Sequence, residues 1–185
     1  MMTGRVHCLL LAAAAVAAAP LHAQDAPADV PKTAERVDLD RYAGKWYEIA
    51  RFPNRFQKQC AGNTTAEYAK RPDGEIDVIN RCRTEDGKTD VAEGRARVVD
   101  AATNAKLEVR FAPAALAWLP MVWSPYWIID LAPDYSVAAV GDPKREYLWI
   151  LSRTPKLPEA TYEELVNRLT AQGFDTARLL MTKQD

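Results

Sequence analysis

Between residues 45 and 153 the chain alternates apolar and polar side chains with a period of two, and tight-turn chemistry interrupts the pattern at short intervals. This feature constrains the fold most, because a period of two sends every second side chain to the same face of an extended strand. The candidate strands are KWYEIAR at 45–51, NTTAEYAK at 63–70, EIDVINRC at 75–82, DVAEGRARVVD at 90–100, KLEVRF at 106–111, YWIIDL at 126–131, SVAAVG at 136–141 and EYLWILSR at 146–153. RPDG, EDGK, ATNA, APDY and DPKR join most of them, and all carry residues suited to hairpin turns. Eight short strands joined this way predict an all-β fold, an antiparallel sandwich or barrel. One helix follows. In PEATYEELVNRLTAQG, Tyr162, Leu165, Val166 and Leu169 fall at i, i+3, i+4 and i+7, a stripe that should lie against the outside of the sheet. Pro158 suits its first turn, TYEE at 161–164 resembles a capping box, and Gly173 suits its stop. ARLLMTK at 177–183 is expected to add a last edge strand.

Ahead of this domain, residues 1–23 read as a secretory signal: a basic Arg5, an apolar run over 8–19 too short to span a bilayer, and a small residue at Ala23. Residues 24–36 have no hydrophobic pattern and are expected to form a flexible leader, which leaves 37–185 as the folded domain. A lipid anchor would need a cysteine just after the apolar run, and Cys8 precedes it, so the expectation is an exported protein, periplasmic or secreted, without such an anchor. Cleavage would remove both histidines, His7 and His22, and with them the commonest general base and metal ligand. No metal, cofactor or catalytic residue is expected. Loss of Arg5 takes the formal net charge from −1 to −2, with both signs interspersed and no basic block suited to nucleic acid. Cys60 and Cys82 remain, an even pair in an oxidising compartment, expected to form a disulfide once the chain near Gly62 bends inward. Their spacing is far from that of a redox C-x-x-C pair.

The alternation also sorts faces. Ala66 and Tyr68, then Ile76, Val78, Asn80 and Cys82, then Ala96 and Val98, then Leu107, Val109 and Phe111, and finally Trp149 and Leu151, each oppose a charged face and should be enclosed. Tyr68, Asn80 and Trp149 bring polar groups into that interior. They suit either a core with satisfied hydrogen bonds or a ligand cavity with a few oriented polar groups on apolar walls. Counting strand directions brings Trp46, at the start of the first strand, to the same end as Arg153, at the end of the eighth. In a closed barrel those strands are neighbours, so the guanidinium can stack on the indole for roughly 1 kcal/mol. Gly44 lets the chain pass close beneath.

These residues carry a resemblance. Gly44-x-Trp46, Arg153 after the last strand and the terminal helix resemble the lipocalins, and GKWYEIARFPNRF, YWIIDLAPDY and EYLWILSRTP look like the bacterial lipocalin and apolipoprotein D branch. The likeness runs over about 37–184. It implies an eight-stranded up-and-down β-barrel with one C-terminal α-helix packed outside, holding one small apolar ligand. It further implies a cavity lined by Tyr68, Asn80, Phe111, Tyr126, Trp149 and Leu151; Tyr126 comes from the resemblance alone, since its strand is apolar on both faces. Bacterial members are typically outer-membrane lipoproteins, so membrane association through an anchor is put in question by the leader.

The connection at 112–125, APAALAWLPMVWSP, is unusually apolar and belongs at the open end. Trp118, Leu119, Met121 and Trp123 suit a lid, a membrane surface, a homodimer contact or a fold back onto the barrel; the expectation is a lid with membrane contact. The expected function is binding and transport of a fatty acid or lysophospholipid, with Tyr68, Asn80 and Tyr126 orienting its polar head. The rivals are a lipid-modifying enzyme on the same barrel and an envelope protein with a filled barrel that binds a partner.

Overall fold

The computed structural model describes residues 30–185, so the expected signal at 1–23 and the leader up to residue 29 lie outside the described residues. Its strands are β1 (Gly44–Arg51), β2 (Cys60–Lys70), β3 (Ile76–Thr84), β4 (Thr89–Val98), β5 (Lys106–Arg110), β6 (Ser124–Leu131), β7 (Val137–Gly141), β8 (Leu148–Ser152) and β9 (Leu180–Met181). A one-turn helix α1 (Leu39–Tyr42) precedes β1, and α2 (Glu159–Ala171) follows β8. Each of β1 to β7 pairs antiparallel with the next, and β8 pairs with β1, which closes an eight-stranded barrel; β9 adds one strand beside β1.

The barrel divides the apolar residues into two clusters, as a single curved sheet must. Inside lie Trp46, Ala66, Tyr68, Ile76, Val78, Ala96, Leu107, Ile128, Val140 and Leu151. Outside, Leu165 and Leu169 of α2 and Phe174 cover Ile49, Ala50, Ile129, Ala139, Leu148 and Ile150. The helical stripe is as the spacing predicts, but the capping box is not made. The helix begins at Glu159 behind Pro158, which places Thr161 within its first turn, and no side chain caps it. Its end does follow the glycine: Gly173 takes φ +83°, its N–H donates to Thr170 O and that of Phe174 to Leu169 O.

One boundary moves. The segment expected as flexible leader is described from residue 30, and there Pro31 is buried and Ala34 N donates to Ile128 O at 2.8 Å. Residues 30–38 thus lie against the barrel before α1, where Val37 is buried and its N–H donates to Thr103 O. Their backbone bonds order a stretch that has no hydrophobic periodicity of its own.

The hairpin of β2 and β3 also differs by one residue from a strict turn about Asp73 and Gly74: Thr65 pairs with Arg81, not with Cys82. Two register shifts, between Cys60 and Gly62 and between Gly62 and Thr65, then bring the cysteines together, and a Cys60–Cys82 disulfide joins them with Cα atoms 5.5 Å apart.

Candidate functional site

One end of the barrel is sealed. The Arg153 guanidinium lies 3.8 Å from the centre of the Trp46 ring. Its Nη2 donates to the carbonyls of Arg41, Tyr42 and Ala43, its Nη1 to that of Lys45, and its Nε to that of Tyr135. Arg153 therefore ties the C-terminal end of α1 and the start of β1 to the β6–β7 turn. Gly44, at φ +91°, adopts a backbone conformation that a side chain would strain, in front of the same guanidinium. Trp46 is fully buried and its Nε1 donates to Tyr42 O at 2.8 Å.

Just inside this seal three tyrosines meet. The Tyr126 hydroxyl lies 2.9 Å from that of Tyr42 and 2.7 Å from that of Tyr68. Burial pushes the Tyr68 phenol up to about 12, against favourable hydrogen bonding from Tyr126. Burial also raises Tyr42 and Tyr126 well above the ordinary phenol value, each further penalised by the charge its neighbours would carry. Beside the trio the remaining cavity, bordered also by Ile76, Val78 and Leu107, is about 10 Å³, the size of one water. The closed half of the lumen is therefore filled by side chains.

The other half is less completely covered. Beyond Arg95 strand β4 has no β5 partner, and its inward-facing Ala92 is exposed. Asn80 faces the lumen between Ala66 and Ala92, partly buried. Trp149 and Leu151 also face inward, Leu151 deep and Trp149 nearer the mouth, where the Trp149 indole stacks on Tyr147 and its Nε1 donates to Gln57 Oε1 at 2.9 Å. Phe111 is placed differently from its expected strand position. β5 ends at Arg110, and Phe111, 46% exposed, lies over Gly94 beside a groove of about 570 Å³ that is bordered mainly by the outward-facing Glu67, Asp77, Ile79, Glu93 and Arg95 and so runs along the outside of β2 to β4, not into the lumen.

Two charged residues were not singled out: Glu48, which shares the inward parity of Trp46, and Arg51, whose parity a bulge reverses. Between Glu48 and Ala50, β1 carries a bulge against β8, so Glu48 pairs with Leu151 and Arg51 with Trp149, both inward-facing partners. Ile49 and Ala50 pack outside beneath α2. Without the bulge, alternation would turn Arg51 out to solvent. Glu48 is 3% exposed, and its two carboxylate oxygens accept from Gln57 Nε2 at 2.6 Å and from Thr182 Oγ1. Burial raises its pKa, while those two hydrogen bonds and Arg51 pull it back. Tyr42 was also missed, because it sits on α1 ahead of the strand pattern. Nothing in the local sequence signals its part in the trio.

The 112–125 connection takes one of the expected arrangements, the fold back onto the barrel, through Trp123. Trp123 lies under the Arg97 guanidinium at 4.1 Å and donates its Nε1 to Ala117 O. Trp118 and Met121 project away, 77% and 84% exposed. Among the described residues, no group of three or more His, Cys, Asp or Glu side chains is placed to hold a metal ion.

The result is a closed antiparallel barrel, plugged at the Trp46 end and less tightly covered at the other, where Ala92 is exposed. Residues 37–184 match the family model described as a lipocalin-like domain, and the chain belongs to that family. It is 43% identical over 150 residues to temperature-induced lipocalin-1 of Arabidopsis thaliana, covering 80% of each chain. It is 38% identical over 148 residues to the outer membrane lipoprotein Blc of Escherichia coli K12, covering 80% of this chain and 79% of that one. With apolipoprotein D of Macaca fascicularis it shares 34% identity over 164 residues, 84% and 81% of the two chains. Among solved structures the fold is similar to insecticyanin of Manduca sexta, with a TM-score of 0.64 over 85% of each chain at 24% identity.

Proposed function

We propose that this protein is an exported carrier that takes one fatty acid or lysophospholipid into the less covered half of its barrel and shields the acyl chain from water. The observation that carries the reading is the closed barrel itself: plugged by Trp46, Arg153 and the tyrosine trio at one end, with the inward-facing Ala92 exposed and Asn80 and Trp149 only partly buried toward the other. Each methylene buried there contributes roughly 0.8 kcal/mol before ordering costs are subtracted. The names of two relatives, an outer membrane lipoprotein and an apolipoprotein, support both export and lipid handling. The exposed Trp118 and Met121 would touch a membrane surface from which the cargo is collected, with Trp123 anchoring their loop. We assign no catalytic step to the chain.

Native mass spectrometry of the protein purified after export, followed by extraction, tests this. The expected result is one co-purified acyl lipid per chain, lost or weakened by Trp149→Ala. Protein that stays empty when offered fatty acids and lysophospholipids would contradict it. One feature favours a second reading: the closed half is packed to a residual cavity of about 10 Å³. If packing extended through the mouth in solution, the barrel would serve a partner through the 112–125 loop, and changes to Trp118 rather than Trp149 would carry the phenotype. A homodimer through the same loop would appear as a doubled mass that Trp118→Ser returns to one chain.

A further inference from the structure

The carrier reading leaves open where the polar head of a ligand would sit, and the expected anchors are poorly placed for it. Tyr68 and Tyr126 spend their hydroxyls on each other and on Tyr42, beside a space too small for a carboxylate or phosphate. The mouth holds a different group. Arg51 is turned into the lumen by the bulge between Glu48 and Ala50 and stands across from Trp149. Its side chain is only 16% exposed, yet of the five N–H groups of a guanidinium one finds a hydrogen-bond acceptor among the described residues, Nη2 on Gln57 O, and at a long 3.4 Å. Its Nε is buried without a hydrogen-bond partner. Its one carboxylate neighbour is Glu48, 3.5 Å from Nε, and both Glu48 oxygens already accept from Gln57 and Thr182. A largely desolvated cation with unused donors, beside an aromatic wall and at a mouth, is a site for an oxyanion.

We propose that Arg51 anchors the anionic head group of a single-chain lipid, a carboxylate or a phosphate, at the mouth of the barrel, so that the acyl chain points inward toward the tyrosine trio. This rests on the carrier reading and gives it an orientation. Glu48, held by Gln57 and Thr182, keeps its hydrogen bonds when the guanidinium turns to the ligand, and it limits how strongly Arg51 binds free small anions. Gln57 links the site to the wall, since it touches Glu48, Arg51 and Trp149.

Three ligands of one chain length separate the possibilities: myristic acid, 1-myristoyl lysophosphatidic acid and neutral monomyristoylglycerol. Each is titrated into the full exported protein below its critical micelle concentration and followed by calorimetry. Arg51→Gln is expected to weaken the two anionic ligands about tenfold or more and the neutral one less than twofold. Arg51→Lys, which keeps the charge without the fork and so guards against misfolding of the first variant, should cost the anionic ligands a few-fold alone. Glu48→Gln should tighten them and leave the neutral lipid unchanged. The tighter of the two anionic ligands in the wild-type protein identifies carboxylate or phosphate as the natural head. Equal losses for charged and neutral lipids, or no loss, would overturn the proposal while leaving the carrier intact. Wild-type protein that binds none of the three would overturn both.

Discussion

At the scale of single residues, the plug and the trio show how few side chains fix the sealed end. Arg153 stacks on Trp46 and supplies donors to five carbonyls, so one residue at the end of β8 holds α1, β1 and the β6–β7 turn together. Both partners were legible, because parity and direction-counting bring the two chain positions to one end. The trio was legible only in part. Tyr68 follows from alternation, Tyr126 from family likeness, and Tyr42 from neither. Its titration is a direct check. The folded-state pKa of Tyr68 is raised from the ordinary 10.0 to about 12, so the native state keeps a proton that the unfolded chain gives up first. The associated stability is fully present below pH 10 and is lost as the pH rises toward 12. Absorbance at 295 nm should therefore show ionisation of the trio lagging behind that of exposed tyrosines. Tyr126→Phe should lower stability at neutral pH by about 1–3 kcal/mol, since it leaves two buried hydroxyls without their partner. Ionisation of all the tyrosines together near pH 10 in a still-folded protein would contradict the packing described here.

At the scale of elements, the strands and α2 were readable because burial on one face imposes a period, and turn residues punctuate it. What escaped were the departures from regularity. A bulge adds one residue and reverses parity beyond it, with no signature in a run such as WYEIAR, and so Arg51 reads as solvent-facing until the pairing of β1 with β8 is known. The added edge strand was readable, but the way residues 182–185 continue beyond β9 was not, for a related reason. β1 and β2 pair only from Gly44 to Tyr47, and above that point the C-terminal segment fills the seam. Thr182 N donates to Ile49 O, Asn63 N to Lys183 O, and Gln184 Nε2 to both Glu48 O and Thr64 O. Gly62 is needed there, because a Cβ would come within 2.7 Å of Lys183 O. Deletion of residues 182–185 should therefore raise amide hydrogen exchange selectively at 48–50 and 62–65, at a stability cost of about 2–4 kcal/mol from several lost hydrogen bonds. Uniform acceleration across β3 to β6 would instead mean that the tail supports the whole barrel rather than its seam.

At the scale of the molecule, eight strands joined mostly by short turns point to an antiparallel all-β fold, and closure into a barrel rather than a sandwich follows from the family likeness. The sequence does not carry how far the lumen is filled. That depends on how ten or so inward side chains from eight strands interlock, and alternation reports their direction but not the space they leave. The result is a barrel solid near Trp46 and less completely covered near Ala92, with charge at its mouth. The central claim is that an acyl chain enters this lumen. The most direct test is paramagnetic broadening in the nitrogen-15 spectrum of the protein with stearic acid carrying a nitroxide midway along its chain. The account predicts strong broadening of the Trp149 indole N–H and of the Asn80 side chain, and little effect on the outer residues beneath α2. Broadening confined to Trp118 and its loop, with Trp149 and Asn80 untouched, would contradict it.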